Sequence, residues 1–216
     1  MKILTIGSPK NLEEVKQKFG ETHGYSLAGD RVSAKGQFEN IELIFDFAAY
    51  KNYKSVDIYK DPHPVVFLNT STTSLKDLTQ DLQPLIFGFC GIPTFLNREI
   101  LEVIIGNERQ QAKLDEVCDK LKTKYSVVTD RVGMVTPRVI CMIINEAYYT
   151  VEEGTATRED IDLAMKLGTN YPYGPFEWAS RIGLKNVCQL LEAVHCDTKD
   201  TRYKICALLR EESLLN

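Results

Sequence analysis

Every strand-like run in this sequence lies before Asp130, and that asymmetry constrains the fold more than any single motif. KILTI (2–6), IELIFDF (41–47), PVVFL (64–68), PLIFGF (84–89) and EILEVII (99–105) are short and rich in β-branched and aromatic residues. Strands this apolar suit a mostly parallel sheet covered on both faces, because an alternating pattern is needed only where one face meets water. NLEEVKQKFG (11–20) sets Leu12, Val15 and Phe19 at helical spacing and ends on Gly20. A second helix is expected in NERQQAKLDEVCDKLKTKYS, with VVTD as a last short strand. Strands alternating with helices in this way predict an α/β sheet domain.

Beyond Asp130 the periodicity changes. PRVICMIINEAYYTVEEG (137–154) begins with proline, ends with glycine and carries a wide apolar stripe through Ile140, Ile144, Ala147, Tyr148 and Val151. T-R-E-D (157–160) is a capping-box pattern before IDLAMKLG, which is expected to stop at Gly168. Pro175 opens a short helix that Gly183 closes, and LKNVCQLLEAV and RYKICALLREESLL complete an all-helical part. The reading is therefore a sheet domain over residues 1–128 followed by a helical domain over 129–216.

Composition narrows the function classes. The net charge of −4, with basic and acidic residues interspersed, offers no electrostatic footprint for nucleic acid. No apolar run reaches membrane-spanning length, and the N-terminal run is too short for a signal sequence, so the cytoplasm is the expected compartment. The six cysteines form no C-x-x-C pair and are expected to stay reduced, as small apolar residues. No grouping of His, Cys and carboxylates has metal-ligand spacing, so no metal is expected.

The helical part then carries a specific match. DRVGMVTPRVICMIINEA and EGTATREDIDLAMKLGTNYPYGPFEWASRIGL resemble the C-terminal domain of the 3-hydroxyacyl-CoA dehydrogenases. The shared features are a D-x-x-G turn, N-E-A, E-D-I-D-x-A-M-K-x-G and Y-P-x-G-P-F-E. The tail, T-K-D-x-R-Y-K-I-C, is similar to the short-chain 3-hydroxybutyryl-CoA members. In the first part, TTSL (72–75) resembles the family's N-T-S-S-L, and GFCGIP (88–93) falls where the family has G-L-H-F-F-N-P. The resemblance implies a Rossmann-like nucleotide-binding domain, shortened here by several tens of residues between Gly24 and Phe38.

Family chemistry implies a histidine base, a glutamate twelve residues on that orients it, an asparagine and a serine on the substrate oxygen, and NAD as hydride acceptor. Cys90 stands in the histidine's place, and Glu102 keeps the spacing of the acid. Cys90 is a replacement base or a packed small residue; a thiol with an ordinary pKa of about 8.5 needs a cationic neighbour to ionise. Glu102 is a retained orienting acid or a strand residue facing solvent. Thr73 falls at the substrate serine, or else serves as a turn or cap residue. Pro137 falls at the asparagine and has no side-chain donor.

The cofactor turn departs furthest. MKILTIGSPKNLEEV keeps Gly7 alone of the G-x-G-x-x-G triad, and Pro9 removes an N–H from a site that works by presenting N–H groups. Asp30 lies at the sequence distance of a ribose-binding acid, in a setting that equally suits a surface turn. His23, His63 and His195 are the alternative bases, none with a partner visible in sequence. By resemblance the activity is NAD-dependent oxidation of a 3-hydroxyacyl-CoA, weakened or lost through these substitutions. The alternatives are a non-catalytic acyl-CoA binding protein and an interaction protein, with a homodimer formed through the helical domain.

Overall fold

The computed structural model describes residues 1–48, 58–59, 64–79 and 85–215. It divides into two compact units, Met1–Met134 and Val135–Asn216. The first is an α/β unit built on a seven-stranded sheet, and the second is helical.

The sheet comprises β1 (Lys2–Ile6), β2 (Gly24–Ala28), β3 (Leu43–Asp46), β4 (Val65–Asn69), β5 (Ile86–Phe89), β6 (Ile100–Ile105) and β7 (Lys124–Val127). Its spatial order is β2-β1-β3-β4-β5-β6-β7. The first five strands are parallel, β6 runs antiparallel to β5, and β7 is parallel to β6. Among the described residues the unit also holds helices α1 (Pro9–Phe19), α2 (Arg31–Ala34), α3 (Leu75–Leu78) and α4 (Gln111–Leu121). The order 2-1-3-4-5 places a topological switch point between β1 and β3, where open α/β sheets bind ligands at the carboxyl ends of their strands.

The central strands have no solvent face. β3, β4 and β5 are buried at every position, which is why their sequences do not alternate. Phe45 stacks on Phe67 at 5.1 Å, Phe67 packs on Phe87 at 5.3 Å, and Phe47 meets Phe89 edge-on at 5.1 Å. Val15 and Phe19 of α1 and Leu114, Val117 and Leu121 of α4 join this cluster.

Four boundaries differ from the sequence expectation, the first being the last helix, which begins at Ala207 and leaves RYKIC (202–206) before it. GYSLA forms β2, where no strand was expected; it is half-exposed at the sheet edge. The last strand is Lys124–Val127 and not VVTD, and it forms the opposite edge. Gly168 lies inside its helix, which ends at Asn170 in the left-handed conformation (φ 54°), a role asparagine fills when glycine is not at the stop.

The helical unit holds α5 (Thr136–Glu152), α6 (Arg158–Thr169), α7 (Pro175–Ile182), α8 (Leu184–Thr198) and α9 (Ala207–Leu215). Its motif residues form a joint. The Asp162 carboxylate accepts the N–H groups of Phe176 (2.8 Å) and Glu177 (3.2 Å), two of the orphan donors that open α7. Lys166, one turn further along α6, donates to Glu177 at 2.7 Å, and Glu177 accepts the Gly174 N–H at 3.1 Å. A Cβ on Gly174 would lie 2.3 Å from the Asp162 carboxyl carbon, so only glycine admits this approach. Asn145 of the N-E-A motif accepts from Cys206 N–H and donates to the Lys204 carbonyl, both at 2.9 Å, and so ties α5 to the segment that leads into α9. These motif residues hold the helices of the unit together.

Candidate functional site

Four of the five residues singled out in the sequence lie at or just beyond the carboxyl edge of the parallel strands. Gly7 follows β1, Asp30 follows β2, Thr73 follows β4 and Cys90 follows β5. Glu102 lies within β6, which runs the other way.

At the switch point the turn is closed by its own side chains. Ser8 is the N-cap of α1, and its Oγ accepts the Asn11 N–H at 3.4 Å. Asn11 Oδ1 in return accepts the Ser8 N–H at 2.9 Å and the Ser8 hydroxyl at 2.8 Å. Pro9 supplies no N–H. The Leu12 N–H is spent on the Ser8 carbonyl at 3.3 Å. A pyrophosphate is held at such a turn by N–H groups left open toward it, and here Ser8 and Asn11 satisfy one another. Gly7 has φ +156°, and a Cβ there would fall 2.7 Å from Asn11 Oδ1 and 3.2 Å from Phe47 Cβ. The glycine makes room for the cap and for β3.

Asp30 caps α2. Its carboxylate accepts the Ser33 N–H at 2.8 Å and the Ser33 hydroxyl at 2.9 Å, and these bonds, the N–H first, hold its pKa below the usual carboxylate range. It remains exposed. Beside it, Arg31 is buried and its Nε pairs with Asp46 at the end of β3. The Tyr59 hydroxyl donates to the same carboxylate at 2.9 Å, and the Ala48 N–H donates to its other oxygen at 2.8 Å. Burial, and then the Asp46 charge, push the Tyr59 phenol far above its usual range. Phe38 stacks on Tyr59 with centroids 5.8 Å apart. The sequence reading missed this network; its signal was a carboxylate, Asp46, directly after the apolar run Leu43–Phe45.

Asn69 was also missed. Only 2% exposed, it closes β4, and its Oδ1 accepts the N–H groups of Gly91 (2.9 Å) and Ser71 (3.2 Å) and the Ser71 hydroxyl (2.7 Å). Its Nδ2 donates to the Phe47 carbonyl at 3.2 Å. One amide thus joins the ends of β3, β4 and β5. The N-T-S run after a fully apolar strand was the available sign.

Thr73 is 6% exposed, and its N–H reaches the Thr70 carbonyl at 3.4 Å. The helix cap falls to Ser74, which accepts the Asp77 N–H at 3.0 Å. Asp130, of the D-x-x-G turn, accepts the Leu75 N–H at 2.7 Å and the Lys76 N–H at 2.9 Å, while the Gly133 N–H bonds the Ser71 carbonyl at 3.0 Å. The turn is thereby fastened to the segment that bears Thr73.

Cys90 is 4% exposed. The β5–β6 ladder pairs Gly88 with Ile104 and Phe89 with Val103, so its next step sets Cys90 opposite Glu102, which is partly exposed. Pro137 is in the first turn of α5. His23 Nδ1 lies 3.3 Å from the N-terminal amine, and burial followed by that positive charge lowers its pKa. His195 is in the last turn of α8, and His63 lies outside the described residues. Among the described residues, no group of three or more His, Cys, Asp or Glu is placed to hold a metal, and no helix is long and apolar enough to cross a membrane.

Comparison with known proteins adds the lineage. A family model, 3-hydroxyacyl-CoA dehydrogenase, C-terminal domain, matches residues 133–214. A probable 3-hydroxybutyryl-CoA dehydrogenase of Bacillus subtilis is 33% identical over 178 residues, 79% of this chain and 62% of that protein. The 3-hydroxyadipyl-CoA dehydrogenase of Escherichia coli is 43% identical over 88 residues, 41% of this chain and 18% of that one. This chain therefore spans less than two thirds of either relative. The solved structure of (S)-3-hydroxybutyryl-CoA dehydrogenase from Ralstonia eutropha superimposes with a TM-score of 0.76 at 21% identity, covering 99% of this chain and 93% of that one, a likeness of fold.

Proposed function

We propose that this chain, which belongs to the 3-hydroxyacyl-CoA dehydrogenase family, holds a CoA thioester at the carboxyl edge of its sheet without oxidising it. The observation that carries the reading is the Ser8–Asn11 capping box. The family's cofactor is NAD, and its pyrophosphate requires open N–H groups at the first turn. Here those of Ser8 and Asn11 are taken, and Pro9 has none to give. The residues present do not fit the dinucleotide, so no hydride step is assigned.

Two further positions support the same reading. Cys90 replaces the base, a contribution worth about 10²–10⁴-fold in general acid–base catalysis. Pro137 supplies no amide at the substrate oxygen. Thr73 keeps a hydroxyl where the family has serine, and Glu102 keeps its acid opposite Cys90. On this reading the hydroxyl and the acid are kept, while the cofactor turn, the base and the substrate amide are altered.

The deciding experiment pairs two assays on the purified chain. With 3-hydroxybutyryl-CoA and NAD, no NADH should form; robust turnover refutes the loss of oxidation. In thermal shift, CoA esters should stabilise the fold and NAD should not. Ligand at about 100 times its Kd adds roughly 2.7 kcal/mol. The absence of any shift with CoA esters refutes thioester binding.

Self-association through the helical unit belongs to the same proposal. α6 buries none of its residues, and its Leu163 and Leu167, one turn apart, are 54% and 78% exposed. Apolar side chains so placed favour cover by a second copy. Light scattering should give twice the 24.5 kDa chain mass, and a stable monomer contradicts it.

A further inference from the structure

We propose that Glu14 is the catch of a proton-linked latch on the segment between Cys90 and Glu102, holding residues 91–99 against α1 when neutral and loosening them when ionised. The latch does not depend on which ligand, if any, the protein binds.

The geometry comes first. Glu14, Gln17 and Lys18 lie on one face of α1, three and four residues apart. The Glu14 carboxylate accepts the Thr94 N–H at 2.8 Å. Gln17 accepts from Asn97 at 3.1 Å, and Lys18 donates to the carbonyl of Arg98 and, at 3.4 Å, to that of Glu99. All three side chains grip the one loop. Ile92, Phe95 and Leu96 anchor it by burying their side chains, so the closed form dominates.

Three features of the closed loop oppose it. Thr94 has φ 79°, a left-handed conformation that strains a β-branched residue. Its hydroxyl is buried without a hydrogen-bond partner among the described residues. A third is the catch itself, since Glu14 is only 9% exposed. Burial raises its pKa to about 7 against the pull of the Thr94 and Leu96 N–H groups. The other charged or titratable groups on the packed elements are Lys10, Glu13, Lys16 and Lys18 on α1, Lys2 on β1, Tyr25 on β2, Asp46 on β3, and Arg98 and Glu99 on the loop. None of them is among the causes of that shift.

The sign follows from linkage. In the closed loop the carboxyl titrates near 7, and in an open, hydrated loop near its ordinary 4.5. The closed form therefore binds the proton more tightly, and acid favours closure. Raising the pH from 4.5 through 7 ionises a buried carboxylate that water solvates better, and opening increases. The separation of the two values sets a ceiling of about 300-fold on that increase.

Amide hydrogen exchange tests this directly. After correction for intrinsic base catalysis, exchange at Thr94 and Leu96 in the wild-type chain should accelerate between pH 5 and pH 8. Glu14→Gln keeps a carbonyl acceptor for Thr94 and cannot ionise, so its corrected exchange should be flat with pH and slower than wild type at pH 8. Wild-type exchange that is flat with pH, or a variant that keeps the wild-type dependence, overturns the proposal. If the variant misfolds, the wild-type Thr94 amide resonance decides alone. A titration midpoint near 7 supports the latch, and one near 4.5 refutes it.

Discussion

Cys90 stands opposite Glu102, one register step beyond the Phe89–Val103 pair of the β5–β6 ladder. Twelve residues apart in sequence, they are brought to facing register positions by the antiparallel return of β6, Cys90 lying just past the end of β5. Cys90 is 4% exposed, which favours a packed residue over a working base. Native alkylation tests that. Of the six free cysteines only Cys196 is exposed, while burial pushes Cys118 up to about 12 and raises Cys141, Cys188 and Cys206. One thiol per chain should react readily, and peptide mapping should place it at Cys196. Labelling of Cys90 at a comparable rate would show an accessible thiolate and reopen a catalytic role for it.

Asp46 serves Arg31, Tyr59 and the Ala48 N–H with one buried carboxylate. Removing one partner of a buried pair costs about 3–5 kcal/mol, because the remaining groups stay in low dielectric. Asp46→Ala should therefore lower stability to urea by about that amount. Replacing both charges, Arg31→Met with Asp46→Leu, should recover part of the loss, since the Tyr59 hydroxyl and the Ala48 N–H still lose their acceptor. A single variant that unfolds like wild type would show that the pair contributes little.

Asp130 satisfies two N–H groups at the start of α3 from a turn more than fifty residues away in sequence. Asp130→Ala removes both acceptors and should destabilise the sheet unit by about 1–2 kcal/mol. Asp130→Asn, which retains one carbonyl oxygen, should fall between wild type and alanine. The order of urea midpoints checks this, and equal midpoints for all three exclude a capping role.

How much of this was legible in the sequence depended on where burial is two-sided. β1, β3, β4 and β5 were visible because strands covered on both faces become continuous apolar runs. β2 and β7, the strands missed or displaced, are the two edges of the sheet, where GYSLA and KYSV keep polar residues turned to solvent. The candidate residues Thr73, Cys90 and Glu102 came from motifs that resemble the family's, and Gly7 and Asp30 from the pattern of a nucleotide-binding turn. Arg31–Asp46 and the Asn69 hub fall in no such pattern; Asn69 bonds Phe47 and Gly91, each twenty-two positions away. No local period encodes such a partner. The motif that most firmly fixed the lineage, Asp162 through Glu177, is a helix joint, which explains why it was readable while the chemistry was not.

The last prediction concerns acid and the helical unit. Arg158, the first residue of α6, donates through both terminal nitrogens to Glu212 of α9, and the Tyr148 hydroxyl donates to Glu212 at 3.0 Å. The guanidinium also lies 5.2 Å from the Tyr148 ring centroid and 5.0 Å from that of Phe176. These side chains line a cavity of about 330 Å³. The Arg158 bond, ahead of the Tyr148 bond, holds the Glu212 pKa below the usual carboxylate range. A depressed carboxylate contributes stability that is present above its ordinary value of 4.5 and lost as pH falls through its folded value. The pair is partly exposed, so the contribution stays within about 1 kcal/mol. Trp178, the single tryptophan, is 9% exposed in α7 and reports on this unit alone. Glu212→Gln should lower the urea midpoint of Trp178 fluorescence at pH 7, and the gap to wild type should close as the pH drops below 4. A gap that is unchanged at acid pH would show that shape, and not charge, makes Glu212 matter.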